Sequence, residues 1–246
     1  MTSRLFALAA LLAAAPAFAQ TPAPRDLTVP LTRETQAALT PAAVVQLLKD
    51  GNERFLADRA VDRDFLRQIQ LTSGGQFPMA VILGCIDSRV PHEIIFDKGV
   101  GDVFSARVAG NFVNTDILGS LEFATALAGA RAIVVLGHTE CGAVKGACDH
   151  VEMGNLTATL SNIAPAIYHV TEIDGPRTSA NRDFVEAVAH ANVEMTVQNI
   201  VDRSPIIRAL VEEGRVVVIG AMHDVATGRV TFDDANMISA ESLARP

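Results

Sequence analysis

Two short segments carry side chains able to do chemistry together: Gly84-Cys85-Ile86-Asp87-Ser88-Arg89-Val90 and Gly137-His138-Thr139-Glu140-Cys141-Gly142. Cys85, His138 and Cys141 offer two thiolates and an imidazole, borderline-soft donors suited to zinc. The His-x-x-Cys spacing lets two ligands reach one ion from a single turn, with Cys85 arriving from elsewhere. Catalytic zinc keeps three protein ligands and one exchangeable position. Buried structural cysteines and a capping histidine would also produce this pattern, and what lifts it is Asp87 with Arg89. An arginine partner keeps a carboxylate charged and oriented. Beside a metal, such a carboxylate can accept the hydrogen of bound water or, once released, ligate the ion itself.

These side chains need a scaffold, and the surrounding pattern supplies one. Met79 to Gly84 and Ala132 to Gly137 are short continuous apolar runs, the signature of buried parallel strands. Val103 to Val108 and Arg215 to Gly220 read as further strands, and Gly228 turns the chain toward Val230-Thr231-Phe232. Helical patterns alternate with them: Thr40-Pro41 to about Leu56, Asp62 to about Leu71, Thr115 to Ala128, Leu156 to Val170, Arg182 to Val201, and Ser204-Pro205 to Gly214. The expectation is an α/β fold, a mostly parallel central sheet flanked by helices, with an N-terminal helical arm. Both chemical segments follow the carboxyl end of a strand, the edge where open α/β sheets build sites.

At the N-terminus, Arg4, the apolar run Leu5 to Ala15 and the small-residue site Ala17-Phe18-Ala19 read as a cleaved signal peptide over 1–19, implying export to a bacterial periplasm. The run is too short for a membrane span, so no membrane association is expected after cleavage. Proline-marked residues 20–39 are expected to form a flexible arm, and 40–246 a single catalytic domain. A formal charge of −8, without a cluster of Lys and Arg, excludes a nucleic-acid footprint. Three cysteines leave one unpaired in any disulfide scheme. A Cys141–Cys148 disulfide would compete with the metal site; otherwise Cys148 is a small buried apolar residue.

The residues resemble the β-class carbonic anhydrases. The resemblance includes Gln76 and Cys85-x-Asp87-Ser88-Arg89-Val90-Pro91, then Gly101-Asp102-Val103-Phe104, Arg107-Val108-Ala109-Gly110-Asn111 and Ser120-Leu121-Glu122-Phe123. It continues through Gly137 to Val144 and reaches Gly228. It implies one Zn2+ per protomer on Cys85, His138 and Cys141, and reversible hydration of carbon dioxide to bicarbonate and a proton by zinc-bound hydroxide. Asp87, held by Arg89, would orient that hydroxide. The resemblance also implies substrate contacts from the Gln76 amide and the Gly142 backbone N–H, and an apolar pocket from Phe104, Ala109 and Phe123. Its partners would be carbon dioxide or bicarbonate and further copies of itself, as a homodimer or tetramer with the pocket at the protomer interface. Related substrates, carbonyl sulfide and carbon disulfide, stay open at this point.

Some members of that family carry an inhibitory bicarbonate pocket of tryptophan, arginine and tyrosine. Arg107 matches the arginine, whereas Ile82 and His223 stand where the other two would be. The expectation is an enzyme without that regulation, in which Asp87 stays off the zinc near neutral pH. His92, His150, His169 and His190 lack a second ligand at metal spacing and read as ordinary histidines. Glu140 reads as a solvated charge.

Overall fold

The structure, a computed structural model, describes residues 26–244. Along the chain run α1 (Arg33–Ala37), α2 (Pro41–Leu56), α3 (Phe65–Thr72), β1 (Ala80–Gly84), α4 (His92–Ile95), β2 (Val103–Arg107) and α5 (Thr115–Glu122). A π-helical turn over Phe123–Leu127 extends α5, and β3 (Ala132–His138), α6 (Gly142–Cys148), α7 (Gly154–Ser161) and α8 (Ala164–His169) follow. The chain then forms α9 (Arg182–Arg203), α10 (Pro205–Glu212), β4 (Val217–His223), β5 (Val230–Phe232) and α11 (Ala240–Leu243).

The five strands lie in the order β2-β1-β3-β4-β5, the first four parallel and β5 antiparallel at the edge. Every residue of β1, β3 and β4 is buried, which is why their sequences run apolar without alternation. Alternate side chains enter two separate cores. Val81, Leu83, Ile133, Val135 and Val218 pack under α5 to α10, while Ile82, Val134, Leu136 and Ile219 pack under α2 and α4 with Val44, Leu48 and Phe96. The carboxyl ends of the parallel strands therefore share one edge. Cys85 stands one residue beyond β1, and His138 ends β3.

Several boundaries differ from the sequence reading for identifiable reasons. The span read as Leu156 to Val170 is two helices, α7 and α8, because Pro165 has no N–H to donate and its ring crowds the Ser161 carbonyl. β4 runs on to His223 because its pairing with β3 continues past Gly220, setting His138 beside His223. α6 was not anticipated: Gly142 and Gly146 weaken its helical pattern, and Cys141 provides no side-chain cap.

The flexible arm expected over 20–39 is docked in its described later part. Leu31 and Gln36 are buried, and Gln36 Nε2 donates to the carbonyls of Pro78 and Ala128 at 2.7 and 2.8 Å. Thr32 caps α1 with a reciprocal Thr35 bond. The signal segment 1–19 lies outside the described residues.

Candidate metal centre

Cys85, His138 and Cys141 converge at the strand-end edge, their donor atoms all within 4.8 Å of one another and all three residues buried. The two sulfurs are 4.0 Å apart. Tetrahedral zinc with bonds of ~2.3 Å to each thiolate would set them ~3.8 Å apart. His138 Nδ1 lies 2.9 Å from the Thr139 carbonyl, a contact it can make only as donor, leaving Nε2 as the lone-pair nitrogen. That Nε2 is buried with no hydrogen-bond partner. A buried, oriented imidazole nitrogen without a partner is what a metal ligand looks like when described by its protein contacts alone. The residues present fit zinc.

Both sulfurs sit among backbone donors. Gly110 N–H reaches Cys85 Sγ at 3.3 Å. The Cys141 S–H bond, the adjacent His138 ring and the N–H groups of Gly110 and Asp87 push the Cys85 thiol down, against the cost of its burial. Cys141 is pushed up because it donates to Cys85 and is buried, opposed by the N–H groups of Val144 and Ala143 in the first turn of α6. This asymmetry belongs to a pair sharing one proton. A metal replaces that proton and makes thiolates of both. Cys85, Cys141 and Cys148 are all free, so the competing disulfide does not form, and Cys148 is buried in the α5 to α10 core.

Asp87 faces this cluster, its Oδ2 3.8 Å from His138 Nε2. Arg89 holds it with Nε to Oδ1 at 2.9 Å and Nη2 to Oδ2 at 2.7 Å, and the Arg89 backbone N–H adds a bond to Oδ1 at 2.9 Å. The guanidinium beside it keeps the Asp87 carboxyl well below the usual carboxylate range despite partial burial. Arg89 also reaches the Glu140 carbonyl at 3.4 Å, linking the two chemical segments. Arg107 braces the first segment from beneath, donating to the carbonyls of Cys85 (2.9 Å), Asp87 (2.6 Å) and Val90 (3.0 Å). The Glu140 side chain pairs with Lys145 and Arg182.

A carbonic anhydrase family model matches residues 80–230, a span that contains all four parallel strands and both chemical segments. Carbonic anhydrase 2 of Mycobacterium tuberculosis is 35% identical over 202 residues, covering 79% of this chain and 93% of the relative. The carbonic anhydrase of Mycolicibacterium smegmatis is 34% identical over 197 residues, covering 77% and 92%. The chain belongs to the carbonic anhydrase family. Among solved structures, a tetrameric β-carbonic anhydrase from Sordaria macrospora superposes with a TM-score of 0.58 at 28% identity, covering 68% of this chain and 85% of that one. The protein is thus an enzyme of the β class, whose general reaction is hydration of carbon dioxide.

Within one copy of this carbonic anhydrase, the residues expected to touch substrate are divided. Gly142 follows Cys141 of the cluster at the start of α6, and a Cβ added to it would meet nothing. Ala109 adjoins Gly110 and hence Cys85. Gln76 is held elsewhere: it precedes β1, two residues before the docked Pro78, whereas Cys85 follows the far end of that strand. At ~3.3 Å per residue the strand alone separates them by on the order of 13 Å. Phe104 pairs with Val81 near the start of β1 and packs edge-on against Phe123, ring centroids 6.1 Å apart, in a cleft with Ile117. That cleft does not contain the metal ligands.

His223 is buried, and neither ring nitrogen has a hydrogen-bond partner. Burial pushes its pKa down, and His138, Asp224, Asp87 and Arg89 are the charged or titratable groups around it. Sequence reasoning missed Asn192, which donates to the Gly110 carbonyl at 2.8 Å. The available signal was a polar residue within the apolar stripe Val185, Val188, Ala189 and Val193 of α9.

Proposed function

We propose that this chain is a zinc carbonic anhydrase in which Cys85, His138 and Cys141 hold the ion and the Asp87–Arg89 pair orients the attacking water. One observation carries the reading: a buried three-donor cluster with an unpartnered His138 Nε2, and 3.8 Å from that nitrogen a carboxylate fixed by a guanidinium. Zinc, when bound, supplies Lewis-acid activation, lowering the pKa of a coordinated water from 15.7 toward ~7. The protein supplies direction. Oδ1 of Asp87 accepts two bonds from Arg89, but Oδ2 accepts only one and faces the cluster, so Oδ2 can take the water's hydrogen bond and aim the water's lone pair at carbon. Arg89 keeps that carboxylate charged and still, and Arg107 keeps the loop beneath it in place.

The Gly142 N–H is proposed to hold a substrate oxygen in the same copy. Gln76, Phe104 and Phe123 are proposed to act from a second copy, since one copy keeps Gln76 before the other end of β1 and the Phe104–Phe123 cleft apart from the cluster. Support for an oligomer comes from the tetrameric Sordaria macrospora relative. The Asp87–Arg89 geometry supports an Asp87 that stays off the metal near neutral pH, and Ile82 and His223 support the absence of the inhibitory pocket. The sequence of residues 1–19 supports export to the periplasm, leaving 40–246 as the catalytic domain that contains the family match.

The decisive experiment is stopped-flow hydration of carbon dioxide at pH 8.5 by purified protein carrying one zinc per chain. A rate above buffer that scales with zinc content is expected. Full zinc with no acceleration would sink the proposal.

A further inference from the structure

The Gly110 N–H that reaches Cys85 Sγ belongs to a residue secured on its other side by α9. Asn192 Nδ2 donates to the Gly110 carbonyl at 2.8 Å in a buried bond. Asn192 itself is 3% exposed. Its helix is seated without slack, because the adjacent Val193 approaches Gly137 and Gly220 so closely that a Cβ on either would lie 2.6 or 2.8 Å from a Val193 methyl. Gly110 has a φ of +83°, a left-handed conformation suited to glycine. A Cβ there would also meet Ile163 Cδ1 at 2.3 Å. Backbone conformation, Ile163 and the Asn192 amide together fix the two peptides that meet at Gly110.

We infer that Asn192 is a positioning residue for the metal centre: it holds Gly110 so that its N–H points at the Cys85 sulfur, and thereby tunes that sulfur as a metal donor. The inference rests on the zinc reading above. An N–H bond to a thiolate draws charge from it, and bonds to ionised acceptors are stronger than neutral ones. Loss of the Asn192 amide leaves the Gly110 carbonyl buried without that donor. The cost of an unsatisfied buried acceptor favours turning the 110–111 peptide, whose Asn111 N–H is bonded to the Val108 carbonyl at 3.0 Å, toward another partner; that changes ψ at Gly110, and the shift passes through its Cα to the 109–110 peptide and moves the Gly110 N–H off the sulfur. A polar side chain in the buried stripe of α9 is thus explained by the ligand it serves two steps away.

The test compares wild type, Asn192→Leu and Asn52→Leu as full chains. Asn52 is a control of the same chemistry, a buried amide donating to the carbonyls of Ile95 and Gly228 at 3.0 Å each, on the opposite core. Three quantities are measured: Tm, zinc Kd by chelator competition, and the thiolate-to-metal charge-transfer band of the cobalt(II)-substituted protein. Both variants are expected to lower Tm. Only Asn192→Leu is expected to raise the zinc Kd, by about tenfold, the lower end for lost outer-shell partners, and to move the cobalt band to longer wavelength as the sulfur becomes more electron-rich. If Asn192→Leu does not fold, Asn192→Ser, too short to reach the carbonyl, is measured in its place. A variant that loses Tm but keeps the wild-type Kd and band overturns the inference alone, whereas a wild type that takes up no zinc overturns the metal reading with it.

Discussion

Asp87 has both oxygens committed to Arg89, and this division of lone pairs decides what the carboxylate can do. Replacement by Asn keeps the shape but weakens the charge-assisted fork and exchanges one acceptor for a donor. Asp87→Asn is therefore expected to retain zinc and lose activity, by about 10²-fold if the loss matches that of a positioned acid–base group. Metal analysis beside the hydration assay distinguishes the outcomes, because equal loss of zinc would make Asp87 a structural residue instead. A second prediction at this scale concerns Gly84, just before Cys85. A Cβ on Gly84 would stand 2.2 Å from His92 Nε2, and His92 is buried against β1 with Nδ1 3.2 Å from Ser105 Oγ. Gly84→Ala is expected to cost roughly 1–3 kcal/mol of stability as overpacking. Much of that cost should return in the double variant with His92→Ala, since the two sites touch. Additive losses of stability in denaturant titrations would refute the contact as the cause.

At the scale of elements, the loop that begins with Cys85 leads into α4, and the end of α4 is anchored by one buried carboxylate. Asp97 accepts from Arg54 of α2 at 2.5 Å, from the Val61 N–H at 3.1 Å and from Arg63, which also donates to the Asp97 carbonyl at 2.7 Å. Burial pushes the Asp97 carboxyl up, but the bonds from Arg63, Arg54 and Val61 outweigh it, so it is held below the usual value of 3.8. Asp97→Asn is expected to cost about 3–5 kcal/mol, because it strips the charge that two buried or half-buried guanidiniums face. A folded pKa below the unfolded one stabilises fully above the unfolded pKa and loses that contribution as pH falls through the folded one. The Tm gap between wild type and Asp97→Asn should therefore hold at neutral pH and narrow below about pH 4. A gap that widened in acid would exclude this linkage. None of this triad was legible in the sequence, because Arg54, Arg63 and Asp97 lie on three segments that nothing local connects. What was legible depended on short-range signals. The Thr40-Pro41 cap and the apolar runs of β1 and β3 placed α2 and the strands nearly to the residue, and the clustering of Cys85, His138 and Cys141 followed from motif spacing. α6 and the Asn192 contact escaped because glycines hid the one, and the other joins residues 82 positions apart.

For the whole molecule, the question is what lies beyond the other end of β1. Gln76, Phe104 and Phe123, the proposed substrate contacts, stand away from the Cys85, His138 and Cys141 cluster of their own copy. Nearby surfaces are unusually apolar for a free enzyme: α3 presents Phe65, Leu66 and Ile69, with Leu66 75% exposed, and the π-helical turn presents Phe123 at 51% and Leu127. Exposed apolar clusters of this kind mark protein–protein interfaces. A symmetric dimer would cover them and bring the Gln76 edge of each copy to the metal edge of the other, because a two-fold axis makes every such exchange reciprocal. Complementation decides between this arrangement and action within one chain. Cys85→Ser removes a ligand and Gln76→Ala removes a substrate contact, so homodimers of either variant are expected to be impaired. In a mixed dimer, the zinc site of the Gln76→Ala chain receives an intact Gln76 from the Cys85→Ser chain. Random reassortment then makes roughly a quarter of all sites whole. Activity of the co-refolded mixture should exceed the mean of the two variants measured separately. If Gln76 served its own chain, every zinc-bearing site would still lack it, and mixing would restore nothing.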